Sequence, residues 1–276
     1  MDRIRLIASD MDATLLDEQS QLPADFEETI YALAELGIRF APASGRPLYT
    51  LEELFPALRD ELVFIGDNGG AIRWKGQNLF TSEMSPEGWR ALNRLTREQG
   101  DIAVLCGLES AYVERPFAVH DAVLRHFYTK IEYVDRLEDV AAPADKFTIY
   151  LPQHNAQQAY DTVYASQQSI YSVAVAGECW VDIMNPGVHK GAALQTLGQL
   201  WGLPSESMMA FGDTYNDAEM LQTVRYGFLM ENGSEPLRQK VPFLAPSHRE
   251  AGVMQVLHRV LAQNGCVCPE DFVPAH

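Results

Sequence analysis

Short apolar runs alternate with amphipathic segments at both ends of this chain, and that alternation limits the folds open to it more than any other feature. Residues 4–9 (IRLIAS) are rich in Ile and Leu without clean alternation, the pattern of a strand buried on both faces. From Pro23 to Gly37, Phe26, Ile30, Leu33 and Leu36 recur at three- to four-residue spacing between a proline and a glycine, which predicts an amphipathic helix with its start and stop signals. Residues 38–43 follow as a strand, 47–55 as a helix beginning at proline, and 62–65 as a strand running into the turn GDNGG. Strand, helix, strand, helix, strand calls for right-handed crossovers and a mainly parallel sheet. The pattern returns late, with helices predicted over 190–201, 216–222 and 250–263 and strands over 207–211, 225–230 and 241–244. In the first of these helices Leu194, Leu197, Leu200 and Trp201 form the stripe expected to face the core.

Between about 82 and 182 the texture differs. Helices near 86–99, 117–128 and 153–166 alternate with strands near 102–106, 110–114, 146–151, 170–175 and 179–184, which fits antiparallel pairs with helices on one face. The expected architecture is therefore α/β: a core with a mainly parallel sheet built from residues 1–81 and 183–276, interrupted by an α+β domain over 82–182. No repeat or low-complexity linker is visible.

The formal charge is −17, from 21 basic against 38 acidic residues. That opposes general binding to nucleic acid or anionic lipid, which are held by clustered Lys and Arg. No stretch approaches 18 uninterrupted apolar residues, which argues against a membrane span, and the acidic Asp10 and Asp12 cut short any signal-peptide apolar region. Cys106, Cys179, Cys266 and Cys268 form no CxxC pair. A reduced, cytoplasmic protein is the expectation, with Cys266 and Cys268 in a loose tail rather than a metal site.

In an open parallel sheet, ligands sit beyond the carboxyl ends of the strands, so the residues just after each strand carry the information. They are Asp10, Asp12 and Thr14; Ser44, Gly45 and Arg46; Asp67, Asn68 and Gly69; and Gly212, Asp213, Asn216 and Asp217, with Lys190 opening a helix. Any one aspartate could be a helix cap. Four loops delivering carboxylate, hydroxyl and amide groups to one rim are harder to explain as capping. Clustered carboxylates raise one another's pKa unless a cation sits among them, and oxygen-only donors suit Mg²⁺, commonly shared with a phosphate. Asp10 and Asp12 would share a face of an extended segment unless the turn after them swings Asp12 away from the metal. One could then attack phosphorus, giving an acyl phosphate, while the other moves a proton.

Five blocks resemble a known family: DMDATLLD (10–17), ASGRP (43–47), DNGG (67–70), PGVHKGAAL (186–194) and GDTYNDAEML (212–221). Their order and spacing are similar to those of haloacid-dehalogenase-superfamily phosphatases, specifically the Cof-like group with a type IIB cap, from Asp10 to about Leu261. The resemblance implies a Rossmann-like core with an inserted cap. It implies Asp10 as nucleophile and Mg²⁺ ligand, and Asp12 as general acid and base that lends the metal its backbone carbonyl. Ser44 and the Gly45 amide would hold phosphoryl oxygens, and Lys190 would pair with phosphate and Asp10. Asp213 would complete the metal shell, with Asn216 and Asp217 orienting phosphate and metal-bound water. Arg46 would grip a further anionic group or a sugar, or pair with a carboxylate, and Asn68 joins the candidate substrate contacts. The implied activity is Mg²⁺-dependent hydrolysis of small phosphorylated metabolites (sugar, nucleotide-like or cofactor phosphates) by a monomer or homodimer. A phosphomutase using the same nucleophile and a catalytically idle binding protein are the alternatives.

Two departures from the family pattern stand out. Ala13 replaces the usual Gly, a change tolerated if its φ is negative. Tyr215 stands where small or acidic residues are common, and either faces the cap and substrate or packs beside its loop. His189 reads as a solvated helix-start residue ahead of a catalytic one, and Trp180 and Arg115 as buried or rim residues of the cap ahead of substrate contacts.

Overall fold

The computed structural model describes all 276 residues. Five strands of the core sheet lie in the order Phe243–Ala245, Tyr226–Met230, Met208–Gly212, Leu6–Ser9 and Arg39–Pro42, all parallel. Leu6 pairs with Met208 and Ser9 with Phe211, so the two ends of the chain meet at the centre of the sheet. A parallel bridge from Ala43 to Ile65 carries the surface on to the Val63–Gly66 strand.

Both faces of this sheet are covered, which explains its unalternating apolar strands. On one face Phe26, Ile30 and Leu33 of the Phe26–Glu35 helix and Val253, Leu257 and Val260 of Gly252–Ala262 pack against Ile7, Phe40, Phe211 and Phe228. On the other, Leu194 and Leu197 of Lys190–Trp201 and Met220 and Leu221 of Ala218–Thr223 meet Leu6, Ala8 and Ala210. Leu200 departs from the expected stripe and is 54% exposed. Trp201 is half-buried at the margin, edge-on to Trp74 with the Arg39 guanidinium over its ring.

Val63–Gly66 also begins a hairpin with Ala71–Trp74 and Gln77–Thr81 that sequence reading did not mark. Its turn, Lys75–Gly76, has positive φ at both residues, the backbone of a tight hairpin turn, but with lysine where asparagine is usual.

The second six-stranded sheet runs Ser172–Ala176, Trp180–Met184, Ala144–Tyr150, Ile102–Gly107, Ala111–Glu114 and Ile131–Val134. It is antiparallel except for the last pair, whose outer strand was also unmarked. The Trp180–Met184 strand runs across position 182. Helices cover both faces rather than one. Pro86–Gln99 and Ala156–Thr162 pack on the side of Leu105, Phe147 and Ile183, whereas Asp121–Phe127 lays Leu124 on the side of Val104, Cys106 and Trp180. That second side also carries Lys146, Thr148 and Asp182, polar positions that face the core's loops.

The C-terminal tail is docked, contrary to expectation. Cys266–Val267 pairs with Asp2–Arg3, Val273–Pro274 pairs antiparallel with the edge strand Phe243–Ala245, and Val267, Phe272 and Ala275 are buried. The apolar residues between the cysteines and the end supply the burial that holds it. All four cysteines are free.

Candidate active site

Parallel strands deliver their following residues to one edge, and here that edge is a cleft of about 480 Å³ beneath the second sheet. Asp10 follows Leu6–Ser9 and is buried, its N–H donating to the Phe211 carbonyl of the neighbouring strand at 2.9 Å. The chain then makes a wide turn closed by the Leu16 N–H on the Met11 carbonyl at 2.9 Å. This turn carries Asp12 away: its side chain is 56% exposed and lies against Arg46 at 2.9 and 3.2 Å. Ala13 sits at φ 58°, ψ 13°. The negative φ under which alanine would be tolerated without strain is therefore not met, and the alanine adopts the left-handed backbone that explains the family's glycine.

Lys190, fully buried, is the centre of the polar floor. Its ammonium donates to Asp10 Oδ1 and, at 2.7 Å, to Asp217 Oδ1. Asp217 in turn accepts the backbone N–H groups of Asp213 and Thr214 at 3.0 and 3.2 Å, which tightens the loop after Met208–Gly212. Gly212 is needed for that closure, because a Cβ there would lie 2.5 Å from the Asp217 Cβ. Thr14 Oγ1 reaches Asp213 Oδ1 at 3.5 Å. His189 caps the Lys190 helix, its Nδ1 accepting from the Ala192 N–H at 3.1 Å, and stays out of the cleft lining.

Asp10, Asp213 and Asp217 each present a carboxylate oxygen within 4.8 Å of the others, whereas the Asp12 carboxylate stands apart. Burial pushes Asp10 up to about 8, against the pull of Lys190, with Asp217 and Asp213 adding repulsion. Burial likewise pushes Asp213 up to about 7, followed by repulsion from Asp217. Lys190 is raised because the two carboxylates outweigh its desolvation. One lysine among three buried carboxylates leaves the group short of positive charge, and an all-oxygen donor set of this size fits a hard divalent cation.

Ser44 is buried beside the cleft and its Oγ accepts from the Arg46 N–H at 3.1 Å. Asn68 sits at φ 55° in the DNGG turn and donates to Asp182 of the second sheet at 2.9 Å; Asn216 reaches the Asn68 Oδ1 at 3.5 Å. Gly45, Arg46, Asn68, Asn216 and Tyr215 all line the cleft, whereas Arg115 pairs with Asp135 at 2.8 Å outside it.

Sequence reading missed the contribution of the second sheet. Lys146 is 2% exposed, donates to the Gly45 carbonyl, and lies 3.1 Å from Asp67 and 3.4 Å from Asp182. Asp182 also accepts from Thr148 at 2.7 Å. Attraction to Asp182 and Asp67 holds Lys146 well above the ordinary lysine range despite its burial. The signal was the pair Asp145–Lys146 in a largely apolar strand, where a buried charge needs a partner.

The chain belongs to the haloacid dehalogenase-like hydrolase family, which it matches over residues 7–257. It is 31% identical over 262 residues to 5-amino-6-(5-phospho-D-ribitylamino)uracil phosphatase of Escherichia coli, covering 94% of this chain and 96% of that one. It is 30% identical over 249 residues to the HMP-PP phosphatase of Cronobacter sakazakii, covering 87% and 89%. Within the family it is a phosphatase. A crystal structure from Streptococcus mutans superposes with a TM-score of 0.85 at 28% identity, over 94% of this chain and 99% of that one. A haloacid dehalogenase-like hydrolase from Bacteroides thetaiotaomicron shares the fold, with a TM-score of 0.82 at 24% identity over 94% and 100%.

Proposed function

We propose that this protein is a Mg²⁺-dependent phosphomonoesterase for small phosphorylated metabolites, acting through an aspartyl-phosphate at Asp10. The carrying observation is the buried convergence of Asp10, Asp213 and Asp217, with Lys190 on Asp10 and Asp217, at the carboxyl ends of two adjacent parallel strands. In this reading residues 1–81 and 183–276 are the catalytic core, and 82–182 is the cap over its cleft.

Asp10, Asp213 and Asp217, with the Asp12 backbone carbonyl, would hold Mg²⁺, which supplies charge neutralisation for the phosphoryl oxygens. Lys190 holds Asp10 for attack, and Ser44 and the Gly45 amide bind the phosphoryl group. An Asp10 carboxylate oxygen bonds to phosphorus as the phosphorus–oxygen bond to the leaving group breaks. Asp12, half-exposed at the rim and oriented by Arg46, gives its proton to the departing oxygen. It then takes a proton from the water that attacks phosphorus, and inorganic phosphate leaves Asp10 free. Asn216 steadies the Asn68 side of the cleft.

Asp10→Asn is expected to lower phosphate release from 4-nitrophenyl phosphate by about a thousandfold or more with the fold unchanged by circular dichroism. EDTA is expected to abolish release and added Mg²⁺ to restore it. Turnover retained by Asp10→Asn would defeat the nucleophile assignment, and EDTA-insensitive turnover the metal.

A further inference from the structure

Residues 127–182 contribute a group of aromatic side chains to the cleft lining, beside Lys146 and Asp182. Trp180, at the start of a cap strand, lines the cleft together with Phe127 and Tyr128 from the end of the Asp121–Phe127 helix. Phe127 meets Trp180 edge-on at 5.0 Å, and Tyr150 backs it at 4.6 Å and 33°. Trp180 is 9% exposed, so neighbouring rings set its position before any ligand arrives. Tyr215, on the core loop that follows Asp213, also lines the cleft and is 59% exposed.

The cations of the cleft are already committed. Lys190 serves Asp10 and Asp217, Arg46 serves Asp12, and Lys146 serves Asp67, Asp182 and the Gly45 carbonyl. No further Lys or Arg lines the space, and the Asp12 and Asp182 carboxylates would repel a second anion. A cleft of about 480 Å³ lies within the usual range for small ligands, about 300–1,000 Å³.

From this combination we infer that the preferred substrate is a phosphomonoester whose leaving group carries a planar unsaturated ring and no second anionic group, the ring lying against Trp180 and Phe127 and covered by Tyr215. This rests on the phosphatase reading above. A preformed aromatic surface selects flat ligands without paying to order itself, and stacking is tolerant of ring identity.

The test compares kcat/KM for phosphate release from uridine and adenosine 5′-monophosphates and 4-nitrophenyl phosphate with that from ribose 5-phosphate and glycerol 3-phosphate. The better nucleoside monophosphate is expected to exceed the better of ribose 5-phosphate and glycerol 3-phosphate by about tenfold or more. Uridine 3′,5′-bisphosphate is expected to fall below uridine 5′-monophosphate by a similar factor. Trp180→Ala should bring the ring preference towards one, mainly through KM, while Trp180→Phe keeps most of it. Tyr215→Ala, at an exposed position, should reduce the preference without the folding risk of the tryptophan change. Equal or better turnover of ribose 5-phosphate overturns the inference and leaves the phosphatase standing. A preference unmoved by both the Trp180→Ala and Tyr215→Ala variants also overturns it. Release of phosphate from none of the six esters by wild type instead defeats the phosphatase reading beneath it.

Discussion

Ala13 bears the cost of the turn that parts Asp10 from Asp12. At φ 58° an L-residue is strained by about 1–2 kcal/mol, and replacing it with glycine costs about 0.5–1 kcal/mol in chain entropy. Ala13→Gly should therefore stabilise the protein by about 0.5–1 kcal/mol, read as a higher urea midpoint at unchanged slope; an unchanged or lower midpoint would show that the turn is not strained. The buried carboxyls make a second demand. Asp10 and Asp213 are raised, to about 8 and about 7, chiefly by burial. Their unfolded counterparts titrate near about 4, so between about pH 4 and pH 8 the folded, metal-free chain holds the extra protons. The stability they confer is complete below that window and is lost as pH rises through it. The melting temperature of EDTA-treated protein should fall from about pH 5 to about pH 8, and Mg²⁺ should flatten that fall.

Among the elements, those with a clean period were legible: the helices Pro86–Gln99 and Lys190–Trp201 lie where their spacing places them, because caps and glycine stops agree with the apolar stripe. The post-strand residues were legible for a similar reason, since a parallel sheet sends them all to one edge. What stayed hidden depends on contacts across the chain. The Lys75–Gly76 hairpin lacks the usual turn residues, the tail is held by edges supplied elsewhere, and Lys146 gains meaning only when the second sheet meets Gly45 and Asp67. That strand also permits a sharp prediction. Lys146→Met removes the cation from between buried Asp67 and Asp182, with buried Asp145 alongside and itself held well above the usual carboxylate range by burial. Breaking such a site costs about 3–5 kcal/mol, and the loss should show in chemical denaturation. The deficit should shrink in acid, where Asp67, already raised by burial, takes up a proton. An undiminished midpoint would mean that the junction between the second sheet and the core loops does not depend on this amine.

At the level of the whole molecule, the charge of −17 describes the surface, while the cleft keeps its own balance among lysine, arginine and the carboxylates they hold. The two sheets differ in how their partners are spaced along the chain. The strands of the second sheet find all their partners within residues 102–184, as Ile102 does in Tyr150, whereas Leu6 must also find Met208. Closing so long a loop is slow compared with local pairing. Pulse-labelled hydrogen exchange during refolding should protect Ile102–Gly107 and Ala144–Tyr150 before Leu6–Ser9, and the reverse order would contradict it. The meeting of the two ends at the centre of the core sheet has a further consequence during synthesis. Asp10 leaves the ribosome some two hundred residues before the Asp213 it faces, so under the proposed mechanism a chain cut short between them could not turn over phosphoesters.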